Sequence, residues 1–342
     1  MKHANIALFV PHIGCPHRCS FCDQRTISGT VQAPTPEEVT QTCQAMLERS
    51  GSLESAEIAF FGGSFTAVEP AYQIALLEAA QPFLGEGMFS GIRISTRPDA
   101  VDSAVLERLE RYHVTAVELG AQSMCDRVLY QNERGHDAQA VRQASAMLRE
   151  RGFSLGLQQM VGLYSSTLQD EYDTLEQLLA CQPETLRIYP TAVLEGTKLA
   201  EYYFRGGYPQ LSQEEVLDYC ADALCRCHHA GVRVIRLGLH DTPSLREHLL
   251  AGYFHPAYGE LAESRLYLRQ LKAAAADCGK TELFVETAPR TMSKVLGQHG
   301  CNRKALAEQG VSLRVRENAA VAAGTLLAGQ QVYEIFSERN QR

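Results

Sequence analysis

Three cysteines crowd into the string Cys15-Pro16-His17-Arg18-Cys19-Ser20-Phe21-Cys22. Thiolates are soft ligands suited to iron–sulfur clusters or zinc. The C-x3-C-x2-C spacing lets one loop wrap a single metal unit, and the count of three is informative. A closed structural zinc site takes four ligands, whereas a cubane held by three thiolates keeps one iron open to an outside ligand. Zinc stays open as an alternative, with His12 or His17 as the fourth donor.

The loop must be carried by something, and the flanking sequence shows what. Short apolar runs at Ile6–Val10, Glu57–Phe61, Ile92–Ser95, Val114–Leu119, Phe153–Met160 and Leu186–Tyr189 read as strands. Helical stretches separate them, such as Thr35–Arg49 with Pro36 near its start and Asp137–Arg151 with Gly152 just past its end. Strands that alternate with helices imply right-handed βαβ units on a parallel sheet. The fold class is α/β, and six units fit a partial β/α barrel or a doubly wound sheet. The unusual residues follow the strands. The cysteine loop comes after the first, Gly62-Gly63-Ser64-Phe65-Thr66 after the second, Thr96-Arg97-Pro98-Asp99 after the third and Gly120-Ala121-Gln122-Ser123 after the fourth. The carboxyl ends of parallel strands are where such proteins build their sites.

Composition sets the outer limits. The chain of 342 residues carries 32 basic and 40 acidic side chains, a net charge of −8, which argues against a generally basic nucleic-acid coat protein. Apolar content of 45% with 21% charged is that of an ordinary globular chain. No window approaches the ~18 apolar residues of a membrane span. The apolar run before Pro11 is too short for a signal peptide. A cytoplasmic chain is expected. Its eleven cysteines then point to metal or redox chemistry and not to a disulfide framework.

At this point the residues resemble a family. C-x3-C-x2-C with aromatic Phe21 before the last cysteine is similar to the signature of radical S-adenosylmethionine (SAM) enzymes. The resemblance implies a six-stranded partial β/α barrel and a 4Fe-4S cluster on Cys15, Cys19 and Cys22, whose open iron chelates SAM and whose electron cleaves it to a 5′-deoxyadenosyl radical. It covers roughly residues 5–205. Gly62-Gly63-Ser64-Phe65-Thr66 looks like the family's glycine motif. Ser95-Thr96-Arg97-Pro98-Asp99, Val117 to Ser123, Asn132-Glu133-Arg134-Gly135-His136 and Arg187-Ile188-Tyr189-Pro190-Thr191 are similar to the radical SAM domain of the Elongator complex catalytic subunit. On that likeness Phe21, Gly62, Gly63, Ser64, Ser95, Arg97, Gln122 and Ser123 would line the SAM pocket. Two departures stand out. The Elongator subunit spaces its first two cysteines more widely, and it carries an acetyltransferase domain for which no acetyl-CoA loop is seen after Pro209.

The expected organisation is a barrel over 1–205 and an α+β extension over 206–342, with a KH-like segment at about 281–318. There a strand, a short helix, Gly297-Gln298-His299-Gly300, a second helix and a strand follow one another. In KH domains the GxxG loop clamps a nucleic-acid backbone. Residues 290–316 hold Arg290, Lys294, Arg303, Lys304, Arg314 and Arg316 against Glu308 alone, a local +5. Lys294, Gly297, His299, Gly300, Arg303 and Lys304 are the candidate RNA contacts. The function expected is radical SAM modification of an RNA base, in tRNA, with an electron donor such as flavodoxin or ferredoxin. The alternatives are small-molecule chemistry like that of coproporphyrinogen oxidases, suggested by the GGSFT and GAQS blocks, and a non-catalytic iron–sulfur or zinc RNA-binding adaptor.

Overall fold

A computed structural model describes residues 4–10, 15, 18–30, 32–49, 53–54 and 56–337. The chain divides into two units. The first takes in residues 1–210 and returns for 239–254, and the second holds 211–238 and 255–342.

In the first unit the chain runs β1 (Ala4–Phe9), α1 (Gln24–Ser28), α2 (Pro36–Arg49), β2 (Ala56–Phe61), α3 (Pro70–Ala80), β3 (Gly91–Thr96), α4 (Ser103–Arg111) and β4 (Val114–Gln122). It continues through α5 (Asp126–Gln131), α6 (Ala138–Glu150), β5 (Ser154–Val161), α7 (Leu168–Ala180), β6 (Thr185–Pro190), β7 (Ala192–Leu194) and α8 (Lys198–Phe204). Strands β1 to β6 lie side by side in chain order, and each pair is parallel. This is the partial TIM-like barrel that the family resemblance implied, one of the two architectures the strand spacing allowed. Each of the six strands read from the sequence is found within three residues of its expected ends.

The helices form where local chemistry fixes them. Asp102 caps α4 by accepting from the Val105 amide at 2.8 Å, and Asp137 caps α6 through the Ala140 amide at 2.8 Å. Thr167 and Asp170 make a reciprocal capping box on α7. Their apolar faces (Leu106 and Leu109, Val141 and Leu148, Leu175 and Leu178) are buried, and α4 and α6 pack on β4. Along each strand alternate residues therefore face helices or the inner side of the sheet. Ile58, Phe60, Ile92, Ile94 and Leu157 take the helix side, with Glu57, Arg93, Glu118 and Arg187 on the other parity.

In chain order there follow α9 (Gln213–His229) and β8 (Arg233–Leu237) of the second unit, then α10 (Pro243–His248) and β9 (Leu249–Gly252) of the first, where β9 pairs antiparallel with β7. The rest belongs to the second unit: α11 (Tyr258–Cys278), β10 (Glu282–Thr287), α12 (Met292–Leu296), α13 (Cys301–Ala307), β11 (Ser312–Glu317), β12 (Thr325–Ala328) and β13 (Gln331–Glu334). Its four-stranded sheet has the order β11-β10-β12-β13, with β10 and β11 parallel. Leu266, Leu271, Leu283, Val285, Val295, Leu306 and Leu326 form its core. Among the described residues no helix is long and apolar enough to cross a membrane.

Candidate radical SAM site

The cysteine loop leaves β1 at the carboxyl end of the sheet and is anchored on both sides. The Ser20 amide donates to the Asn132 carbonyl at 3.2 Å, and the Ser20 hydroxyl to Asn132 Oδ1 at 2.8 Å. On the other side the Leu199 amide, in the first turn of α8, donates to the Ser20 carbonyl at 2.8 Å. Asn132 is fully buried and its amide nitrogen also donates to the Val128 and Tyr164 carbonyls. The sequence showed Asn132 only as part of a motif; its role as the clamp of the loop appears in three dimensions.

Beyond the clamp, Phe21 is buried and Cys22 donates its amide to the Cys19 carbonyl at 3.1 Å. Asp23 caps α1. Gln24 then ties the loop to the glycine pair, its Oε1 accepting from the Gly63 amide at 2.6 Å. Both Gly62 and Gly63 have positive φ, +81° and +58°, in the left-handed region where a side chain is strained.

The three thiols interact with one another and share one cation. Burial pushes the Cys15 thiol up, with Cys19 adding to the rise, while Arg97 and Arg134 oppose it. Burial also raises Cys22, again with Cys19 and Cys15 adding and Arg134 opposing. Arg134 Nη1 donates to Cys19 Sγ at 3.1 Å and Nη2 to the Gly120 carbonyl at 2.6 Å. Its own carbonyl accepts from Arg97 Nη2 at 2.5 Å, and Arg97 is held by Asp99 through two 2.9 Å bonds.

Of the residues expected to line the SAM pocket, three are bonded to the scaffold. Ser64 is buried, with its hydroxyl 2.9 Å from Thr96 Oγ1 and accepting from the Arg97 amide. Ser123 turns to α7, bonding Thr174 and the Cys125 amide. Arg97 is spent on Asp99 and Arg134. Ser95 is buried on the same strand parity as Arg93. Gln122 differs: it has φ +67°, and its buried Oε1 has no hydrogen-bond partner. His136 behaves alike, with Nε2 against the Ala121 carbonyl at 3.3 Å and a buried Nδ1 left unpartnered. Burial, then Arg134, pushes the His136 imidazole down to about 4, so it is neutral at pH 7.

Parallel-strand pattern, C-x3-C loop and glycine pair converge on one family, and family comparison decides it. The radical SAM superfamily model matches residues 9–178 and the radical SAM C-terminal domain model residues 183–268. The chain belongs to the radical SAM superfamily. Enzymes of this superfamily use a 4Fe-4S cluster and SAM. The chain is 26% identical to a tRNA uridine(34) acetyltransferase of Dehalococcoides mccartyi, over 59% of this chain and 52% of that one. It is 30% identical to Elongator complex protein 3 of Homo sapiens, over 39% of this chain and 25% of that protein. The structure of the archaeal Elp3 of Methanocaldococcus infernus shares the fold at a TM-score of 0.63, with 20% identity over 78% of this chain and 63% of that one. The chain thus spans about half the length of the uridine acetyltransferase it matches.

This radical SAM chain has residues that fit the family's cofactors. Among the described residues no three His, Cys, Asp or Glu side chains converge as a single metal ion demands. Three thiols that act on one another and share Arg134 are a soft donor set of the kind iron–sulfur clusters take. His12 and His17, the alternative zinc donors, lie outside the described residues. The unpartnered Gln122 oxygen at the carboxyl end of β4 suits a polar ligand with a donor to offer.

The expected RNA contacts lie in the second unit. The strand-helix-GxxG-helix-strand order is present as β10, α12, the Gln298–Gly300 turn, α13 and β11. The basic island, however, shrinks once folded. Lys294 pairs with Glu263, Arg314 with Glu282 and Arg316 with Glu286, acids that lie outside the 290–316 window. Arg303 and Lys304 remain exposed on α13, with exposed His299 in the turn before them. Gly297 has a packing reason of its own. A Cβ on Gly297 would sit 2.4 Å from Cys301 Sγ and 3.0 Å from Asn302. Asn302 is buried and donates to the Val295 and Lys294 carbonyls, closing the end of α12.

Sequence reading missed one feature of the barrel interior. Glu57, Arg93, Glu118 and Arg187 form a buried chain of ion pairs across β2, β3, β4 and β6. The signal was available: one charge per strand, each at the same parity within an apolar run.

Proposed function

We propose that this chain is a radical SAM enzyme that modifies a base of tRNA. The observation that carries the catalytic half is the anchored loop of Cys15, Cys19 and Cys22, tied by Arg134 to the Gly120 carbonyl near the end of β4, where the Gln122 oxygen is unpartnered. Cys15, Cys19 and Cys22 would hold a 4Fe-4S cluster, which supplies the electron that cleaves SAM to a 5′-deoxyadenosyl radical. Gly62 and Gly63 would leave room for backbone contact with SAM, and Gln122 Oε1 would accept a hydrogen bond from it. Ser64, Arg97 and Ser123 would act by fixing the loops that carry those groups. The barrel would serve to exclude water from that radical. The RNA half is supported by the relatives' names and by exposed Arg303 and Lys304 beside the GxxG turn. A cytoplasmic location and an external donor such as flavodoxin or ferredoxin accompany the reading.

The test is anaerobic iron–sulfur reconstitution, then reduction with dithionite in the presence of SAM. Wild type should yield 5′-deoxyadenosine, and Cys19→Ala should not. Deleting the protein's coding sequence should remove one modified nucleoside from the tRNA pool. SAM cleavage with an unchanged tRNA profile would favour a small-molecule substrate. RNA binding without cleavage, on a fully loaded cluster, would favour the adaptor.

A further inference from the structure

Arg134 is placed where a cation tunes a cluster. We infer that Arg134 is a positioning residue that sets the reduction potential of the cluster held by Cys15, Cys19 and Cys22, through its hydrogen bond to the Cys19 sulfur. The inference rests on the cluster part of the reading above and not on its RNA part.

Three observations carry it. Arg134 Nη1 donates to Cys19 Sγ at 3.1 Å, and Cys19 is one of the three thiols of the loop. Arg134 is 6% exposed, so its charge is little screened by solvent. Its aim is held from both ends: Nη2 by the Gly120 carbonyl at 2.6 Å, and its backbone by the Asp99-bound Arg97 at 2.5 Å. A side chain used only for packing would not need that support.

The physics gives a sign. Reduction adds negative charge to the cluster, and hydrogen bonds to the sulfurs together with nearby positive charge are among the factors that set its potential. A fixed, buried guanidinium stabilises the reduced form more than the oxidised form, so Arg134 raises the potential. It makes the one-electron reduction easier for a weak donor.

The experiment uses the full chain with its reconstituted cluster, without SAM or RNA. Iron and sulfide per chain are assayed, and the midpoint is read by electron paramagnetic resonance during a redox titration. Arg134→Gln is expected to keep its iron and to shift the midpoint to more negative potential. Arg134→Lys keeps the charge and loses the fork, so its midpoint should fall between the two. An unchanged midpoint in an iron-loaded Arg134→Gln protein would overturn the inference. Loss of iron from both variants would also overturn it, since Arg134 would then be needed to build the site. If only the Gln variant loses iron, the Lys variant decides: a lowered midpoint supports the inference and a wild-type midpoint overturns it. None of these readings depends on tRNA, so the RNA proposal fails or stands separately.

Discussion

Glu118 and Arg187 are locked together across two strands that are not neighbours. Arg187 Nε donates to Glu118 Oε2 at 2.6 Å and Nη2 to Oε1 at 3.0 Å, from β6 to β4 over the strand between them. The same carboxylate accepts from Gln158 on that intervening strand at 3.0 Å and meets Arg93 on β3 at 3.5 Å. Gly156 permits the span, because a Cβ there would fall 2.8 Å from Glu118 Cγ. One buried carboxylate thus joins four consecutive strands of the sheet.

Removing that carboxylate should be costly. Glu118→Ala takes the bidentate carboxylate from buried Arg187 and leaves Arg93 to Glu57 alone, and breaking a buried pair typically costs about 3–5 kcal/mol. A large fall in melting temperature is expected, with less iron bound after reconstitution. A variant melting within a degree or two of wild type would show that the chain of ion pairs is not a structural support.

Glu171 should make stability depend on pH. It is buried on α7 and accepts from the Ser166 hydroxyl at 2.6 Å and the Gly162 amide at 2.8 Å. Burial outweighs these bonds and pushes its carboxyl from 4.5 up to about 7. The folded state therefore binds this proton more tightly than the unfolded chain. The contribution is full below the unfolded value and is lost as pH rises through about 7. Thermal melts of wild type should drop between pH 5.5 and 8, with a difference of about 2 kcal/mol at most. Glu171→Gln should flatten that dependence; an equal slope in the variant would place the titrating group elsewhere.

Gly162 joins the same knot from the other side. Its φ is +72°, its amide serves Glu171 and its carbonyl accepts from Tyr208 at 2.6 Å. A Cβ would sit 2.4 Å from Tyr253 Cε2, a ring that is 1% exposed. Gly162→Ala combines left-handed strain with overpacking, about 2–5 kcal/mol together. Circular-dichroism melts should show it clearly less stable, and a wild-type melt would mean that Tyr253 moves aside freely.

The GxxG segment calls for variants that separate folding from binding. Gly297→Ala should damage the second unit through Cys301 and Asn302 whether or not RNA binds there. The double variant Arg303→Gln with Lys304→Gln changes only exposed side chains and should melt like wild type. If the turn contacts RNA, the double variant should weaken tRNA binding and lower the slope of affinity against salt by about two contacts. Unaltered affinity and slope would remove this face from the RNA reading.

The sequence by itself determined the six parallel strands and the cysteine loop that follows the first of them. Those features rest on local patterns: apolar runs of strand length, caps such as Asp137, and a ligand spacing confined to eight positions. The same local logic located the β10-to-β11 segment closely. Only the tertiary structure decided how the polar residues are used. Ser64 and Ser123 bond Thr96 and Thr174, partners so far apart in the chain that no spacing reveals them. The basic island lost Lys294, Arg314 and Arg316 to acids brought from α11 and β10 for the same reason. Asn132 as the clamp of Ser20, and Arg134 as the donor to Cys19, join positions more than a hundred residues apart. Strand periodicity fixes which face a side chain takes, but the partner it meets there is set by the order in which the sheet assembles its strands.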